Sequence, residues 1–136
     1  MKVFVYGTLK RGHGNNHVLG DSTFLGTGET VARCRLFNSG FPVLRPGDKN
    51  HAELNRPVRG ELFEVSEETL DRLDRLEGEG RMYFRFTKFI RLDDGKVVKA
   101  YVYVGGSSYW RGRGRLRLYD IQNDRYVWQP PYRAAS

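Results

Sequence analysis

The sequence predicts a mixed α+β domain, and three observations carry that reading. Short runs rich in β-branched and aromatic residues recur from Lys2–Tyr6 to Val97–Val104, the pattern expected of strands. Two of these runs, Tyr83–Leu92 and Val97–Val104, flank Asp93-Asp94-Gly95, which reads as a hairpin turn. Between Ser66 and Gly78 the period changes to that of a helix, with start and stop signals at its ends.

At 136 residues, the chain 1–136 reads as one domain, large enough to bury a sizeable core. Its 39% hydrophobic and 13% aromatic content excludes a disordered chain. No apolar run approaches the roughly 18 residues a membrane helix needs. Met1 leads directly into the first strand, leaving no room for a secretory signal. Cys34 is the only cysteine, so a disulfide framework within one chain is excluded, as is a multi-thiolate metal site. A reducing cytoplasm is the expected setting. The net charge of +7 is uneven: residues 107–136 hold six Arg against two Asp, so the excess falls mainly on a basic, aromatic C-terminal extension.

In chain order, Lys2–Tyr6 reads as a buried strand that stops at Gly7-Thr8-Leu9-Lys10-Arg11-Gly12, where glycines impose a turn. A strand ending in a Gly-Thr turn leaves successive N–H groups free to face an anion or a developing oxyanion. On pattern alone, the glycines equally suit a plain turn, with Tyr6 in the core. The run is not a phosphate-binding loop, because no Lys-Ser/Thr follows the second glycine. His13–Gly20 reads as a loop or a short helical turn. Thr30–Phe37 reads as a strand, closed by Asn38-Ser39-Gly40. Phe41–Leu44 runs into a polar surface loop, Arg45–Arg56, and Val58–Val65 is the next strand.

The helix is signalled at both ends. Ser66 suits an N-cap, Glu67 and Glu68 suit the positive end of the dipole, and Gly78 suits the C-terminal stop. Val65 and Leu70 have the spacing of a hydrophobic staple. Leu70, Leu73 and Leu76, at i, i+3 and i+6, are expected on one face. Glu77, seven residues after Leu70 and four after Leu73, shares the buried face and sits in the last turn. Burial and the negative end of the dipole both disfavour its carboxylate, so a raised pKa is expected. Such a group suits proton transfer at neutral pH. A residue at a frayed helix end, turned to water, is the other reading of the same spacing. Asp71 and Asp74 read as surface charges.

Taken together, Val5-Tyr6-Gly7-Thr8-Leu9-Lys10-Arg11-Gly12, Asn16-His17, Phe41-Pro42, Val58-Arg59-Gly60-Glu61-Leu62-Phe63 and Leu73-Asp74-Arg75-Leu76-Glu77-Gly78, with Tyr83 and Arg85, resemble the gamma-glutamylcyclotransferase-like family. The resemblance includes the gamma-glutamylamine cyclotransferases. The similarity runs in order over about residues 2–104. It implies a small mixed β-barrel with a few flanking helices, and a pocket at the Tyr6–Leu9 turn. It further implies Glu77 as the general acid/base, with the Gly7, Thr8 and Leu9 turn holding the glutamyl group. One departure stands out: Gly80 occupies the place where the family commonly has a proline after Glu-Gly.

The implied reaction cyclises a gamma-glutamyl amine, amide or peptide to 5-oxoproline and frees the amine, with no cofactor and no metal. The substrate's own α-amino group closes the ring, so proximity supplies much of the rate. Tyr6, Tyr83 and Tyr103 are candidates to line the pocket, and on a hairpin Tyr83 and Tyr103 equally suit plain core. His13, His17 and His51 lack metal-site spacing. Cys34 stands between two arginines, which favour a thiolate, yet no histidine is near it in sequence and it reads as structural.

Two other readings remain open. A non-catalytic binding module of the same fold would keep the pocket without turnover. In Trp110-Arg111-Gly112-Arg113-Gly114-Arg115-Leu116-Arg117 the arginines alternate strictly, so an extended strand would present four of them on one face. With Tyr119 and Trp128 that face suits single-stranded nucleic acid, although a solvated edge that resists sheet-to-sheet association is the preferred reading. The small-molecule substrate is therefore the expected partner, with no membrane, and monomer and homodimer both fit.

Overall fold

The computed structural model describes residues 1–38, 42–78, 80, 82–106, 117–118, 121–122 and 124–128. Ten strands and one α-helix fall among them. They are β1 (Lys2–Val5), β2 (Thr23–Thr30), β3 (Cys34–Asn38), β4 (Pro42–Pro46), β5 (Arg59–Glu64), α1 (Glu67–Glu77), β6 (Tyr83–Leu92), β7 (Val97–Gly105), β8 (Arg117–Leu118), β9 (Ile121–Gln122) and β10 (Arg125–Tyr126). Five strands close a barrel in the order β1-β5-β2-β6-β7. The β1–β7 seam is parallel, through Val3 and Tyr101, and the other neighbours are antiparallel. A three-stranded sheet, β4-β3-β8, and the short β9–β10 pair complete the described strands. The expected small mixed barrel is the fold observed.

Two buried layers explain the apolar continuity of β1. Phe4, with Tyr6, joins the cluster of Leu36, Leu44, Leu62, Ile90 and Val102, while Val3 and Val5 join the one beneath α1 with Leu70, Leu73 and Val65. A strand buried on both faces has no polar alternation to show. Val65 and Leu70 share the second cluster, as the staple spacing requires. No helix among the described residues is long and apolar enough to cross a membrane.

Two expectations change, and one strand appears that the sequence did not signal. The run Thr30–Phe37 is not one strand: Thr30 ends β2, and β3 starts at Cys34 after a break at Val31–Arg33. There the chain leaves the barrel for the second sheet. The strand β2 carries little periodic signal of its own, since Thr23–Thr30 holds two glycines and a bulge between Phe24 and Gly26. Its pairing with β5 and β6 makes it a strand. The expected loop Arg45–Arg56 contains the end of β4 and a 3-10 turn at Lys49–Leu54.

The hairpin forms from the expected runs, with Tyr83 opposite Gly105 and Arg91 opposite Val97. Its turn is tied to the barrel by Asp93, which accepts two hydrogen bonds from Arg59, at 2.7 and 3.0 Å, and one from Thr27. These donors, Arg59 first, push the Asp93 pKa down to about 2. A carboxylate with a depressed folded pKa adds stability that is present above about pH 4 and lost as pH falls towards 2. Asp93 is more than half exposed, so solvent screens most of this. We therefore expect Asp93→Asn to cost about 0.5–1 kcal/mol at pH 7 and nothing near pH 2. Urea titrations of both proteins at pH 7 and pH 2 measure it. Equal loss at both pH values would contradict this account.

Candidate active site

Where β1 ends, the chain turns at Gly7–Lys10, closed by the Lys10 N–H donating to the Gly7 carbonyl at 3.0 Å. Gly7 is required here, since a Cβ would stand 2.4 Å from Cγ of Pro42. Asn15 then pins Thr8 twice, its N–H donating to the Thr8 carbonyl at 2.9 Å and its Nδ2 to the Thr8 hydroxyl at 2.9 Å. Asn16 Nδ2 donates to the Leu9 carbonyl at 2.8 Å. The three carbonyls are thus occupied. Among the described residues, nothing accepts from the N–H groups of Gly7, Thr8 or Leu9.

Across from this turn ends α1. Ser66 caps its start, its hydroxyl accepting from the Thr69 N–H at 3.1 Å. Gly78, in the left-handed region at φ 61°, ends it, and Glu77 is the last helical residue. The helix has not frayed at Glu77. Leu70 and Leu73 are buried, but Leu76 is 44% exposed, against expectation. At about 100° per residue, i+6 lies about 120° from Leu70, whereas i+7 returns to within about 20°. Glu77 therefore follows Leu70 inward while Leu76 stands at the rim.

Turn and helix end enclose a cavity of about 290 Å³. Tyr6, Gly7, Thr8 and Leu9 form one wall, Glu77 and Leu76 another, and Tyr83 and Tyr103 of the hairpin a third. Every site residue named from the sequence lines this one cavity. Pro42, Met82 and Asn15 also line it, and only Pro42 had a sequence signal, through Phe41-Pro42. Glu77 is half-buried and is the only charged residue among the described lining. Burial pushes its pKa up to about 7. Among the described residues, nothing donates a hydrogen bond to its carboxylate.

The three tyrosines act as walls. The Tyr6 hydroxyl donates to the Tyr103 carbonyl at 2.7 Å, Tyr83 to the Pro42 carbonyl at 2.9 Å, and Tyr103 to Asp74 Oδ1 at 2.7 Å. Their hydroxyl protons are spent on the protein. Asp74 is thus no plain surface charge: it also accepts from Arg85 at 2.8 Å.

The other candidates fall elsewhere. His13 packs on Trp128 with ring centroids 5.2 Å apart, His17 contacts the Gly14 carbonyl, and His51 contacts Asp48. Cys34 is buried in the core, where desolvation pushes its thiol pKa up, in keeping with a structural role. Trp128 is 5% exposed and packs in the barrel core, so it offers no stacking surface, contrary to the nucleic-acid reading. Phe41, Trp110, Arg111, Arg113, Arg115 and Tyr119 lie outside the described residues, and of Arg117 only the backbone pairing in β8 is described.

Comparison with known proteins agrees with this geometry. The family model of "Gamma-glutamyl cyclotransferase, AIG2-like" matches residues 3–128. The gamma-glutamylaminecyclotransferase of Rattus norvegicus is 35% identical over 119 residues, covering 74% of this chain and 75% of that protein. The gamma-L-glutamyl-butirosin B gamma-glutamyl cyclotransferase of Niallia circulans is 38% identical over 76 residues, covering 55% of this chain and 44% of that one. The crystal structure of an AIG2-like protein from Mus musculus superposes with a TM-score of 0.70 at 30% identity, covering 94% of this chain and 95% of that chain. The match extends past residue 104, over the segment whose Tyr126 and Trp128 pack in the core. The barrel, the cavity between turn and helix end, and these similarities agree: the chain belongs to the gamma-glutamyl cyclotransferase, AIG2-like family.

Proposed function

We propose that this protein cyclises gamma-glutamyl amines to 5-oxoproline, with Glu77 as the proton carrier. The observation that carries the proposal is the juxtaposition in one cavity of a carboxyl poised near neutrality and a turn whose three N–H groups have no acceptor among the described residues. At about 290 Å³ the cavity is at the small end for ligand sites, which suits an amino-acid-sized group. The names of the relatives support an amine as leaving group, one of them a butirosin.

In the reaction, the glutamyl chain folds so that its α-nitrogen reaches its own γ-carbonyl. Glu77 takes a proton from the α-ammonium, and the freed lone pair forms the new C–N bond. The N–H groups of Gly7, Thr8 and Leu9 steady the carbonyl oxygen as it gains charge, or the α-carboxylate. The old C–N bond then breaks. The two protons lost by the attacking nitrogen are the two the departing amine gains, with Glu77 relaying them. Because the nucleophile is built into the substrate, the step needs neither metal nor cofactor, and a well-oriented intramolecular attack supplies about 7 kcal/mol or more of the barrier. The single, buried thiol suits a reducing cytoplasm.

The test is γ-L-glutamyl-n-butylamide and its N-acetyl derivative. The first is expected to yield 5-oxoproline and butylamine in equal amounts. Acetylation removes the nucleophilic lone pair, and turnover is expected to stop. A hydrolase would ignore the block, releasing glutamate from the first compound and N-acetylglutamate from the second. Cleavage of the acetylated compound, or glutamate in place of 5-oxoproline, would overturn the reaction class.

A further inference from the structure

We propose that Asp74 is a positioning residue for this site, acting through Tyr103; the inference rests on the cyclotransferase reading above. Asp74 does not line the cavity. It lies three residues before Glu77 on α1, so both carboxylates project from neighbouring points of one helix face. Each of its oxygens has a separate partner on the hairpin. Oδ1 accepts from the Tyr103 hydroxyl of β7 at 2.7 Å, and Oδ2 accepts from Arg85 of β6 at 2.8 Å. Arg85 in turn lies over the Tyr101 ring, 4.6 Å from its centroid.

The chain of contacts does not end at the hairpin. The Tyr103 carbonyl accepts from the Tyr6 hydroxyl at 2.7 Å, and that hydroxyl accepts from the Leu44 N–H at 3.3 Å. Tyr6 is the residue from which the Gly7–Leu9 turn departs. Asp74, Tyr103 and Tyr6 therefore connect helix, hairpin and turn, the three walls that must keep their spacing for ring closure. Tyr103 is the shared member. Its ring lines the cavity, its hydroxyl reaches the helix and its carbonyl reaches the turn. A simple surface ion pair would not have this form, because such pairs hold one loose partner in solvent. Here both oxygens of a half-buried carboxylate are divided between two strands.

Removing the Asp74 charge should therefore leave the fold in place but release the Tyr103 ring and loosen the last turn of α1 relative to the hairpin. Displacements of about an ångström at a reacting centre cost up to about a hundredfold in rate. The experiment measures kcat and KM on γ-L-glutamyl-n-butylamide, with melting curves, for the wild type, Asp74→Asn, Tyr103→Phe and the double variant. We expect each single variant to lower kcat about tenfold to a hundredfold with KM changed less than about threefold. The double variant should be no worse than the weaker single, since asparagine offers one acceptor oxygen to two donors and so weakens the same link that Tyr103→Phe removes. Three outcomes would overturn the inference: Asp74→Asn keeping more than half of wild-type kcat, losses that multiply in the double variant, or a loss that follows the melting temperature alone. A wild type that makes no 5-oxoproline would sink the cyclotransferase reading and this inference together. An active wild type indifferent to Asp74→Asn would sink this inference alone.

Discussion

Glu77→Gln is expected to abolish turnover and to raise stability at the same time. Removing a positioned general acid/base costs about 10²–10⁴ in rate, and here one group serves both proton transfers, so the upper end applies. The stability change has the opposite sign. Burial holds the Glu77 carboxyl at a pKa of about 7, above its ordinary value near 4.5. A carboxyl with a raised folded pKa binds more protons folded than unfolded. Its contribution is fully present below about pH 4.5 and is lost as pH rises through about 7. At pH 8 the wild type thus carries a half-buried negative charge that glutamine lacks. Allowing for partial solvent contact, the gain at pH 8 is on the order of 1–3 kcal/mol, and it should vanish near pH 4. The same ionisation should appear in the kinetics as a rise in wild-type kcat/KM through about pH 7. Thermal melts at pH 4 and pH 8, with 5-oxoproline release between pH 5 and pH 9, check all three. A folded variant that keeps most of its activity would remove Glu77 from the mechanism. A variant that is inactive and less stable at pH 8 would point to structural damage instead.

What could be read from the sequence follows from how local each signal is. Helix α1 was legible to the residue because its cap, its acidic first turn and its glycine stop lie within its own stretch, Ser66–Gly78. Its apolar face was only partly legible. The i, i+6 spacing misled at Leu76, while i, i+7 placed Glu77 on the inward side. The β6–β7 hairpin was legible from its turn, and β1 from its apolar run. By contrast, β2 has no sufficient signal of its own. Its glycines break any periodic pattern, and what makes it a strand is pairing with β5 and β6, residues far away in sequence.

The site divides in the same way. The turn and the helix end each had a pattern, but that they face one another followed only from the family resemblance. Nothing in the spacing of Gly7 and Glu77, 70 residues apart, fixes their distance in space. Asp74 was misread because a helical wheel shows only the helix. Its partners, Arg85 and Tyr103, lie 11 and 29 residues downstream, and no local rule joins them. Trp128 entered only the nucleic-acid alternative, where the arginine-rich stretch beside it suggested a basic surface, although it and Tyr126 are buried on either side of the half-buried Val127, an alternation an extended segment shows.

That last point makes Tyr126→Ala the second large effect, and a purely structural one. The side chain of Tyr126 has no exposed area, and it packs in the barrel-interior cluster with Trp128, Val58 and Leu36. Its hydroxyl donates to the Leu54 carbonyl at 2.5 Å, and its N–H donates to the Pro57 carbonyl at 2.9 Å. It also bridges Val58 in parallel register, just before β5. Truncating a fully buried aromatic costs about 3–5 kcal/mol, from lost burial and the cavity left behind. Against a total of about 5–15 kcal/mol for an ordinary domain, this brings the protein close to unfolding. Tyr126→Phe separates the contributions, because it keeps the ring and loses only the hydroxyl bond, at about 0.5–1.5 kcal/mol. Urea titrations of the three proteins measure both differences. If Tyr126→Ala cost less than about 1 kcal/mol, the segment holding β10 would be an appendage to the barrel, and its burial would carry no weight. A large loss with Tyr126→Ala and a small one with Tyr126→Phe would establish that an aromatic ring near the C-terminus fills the barrel's interior.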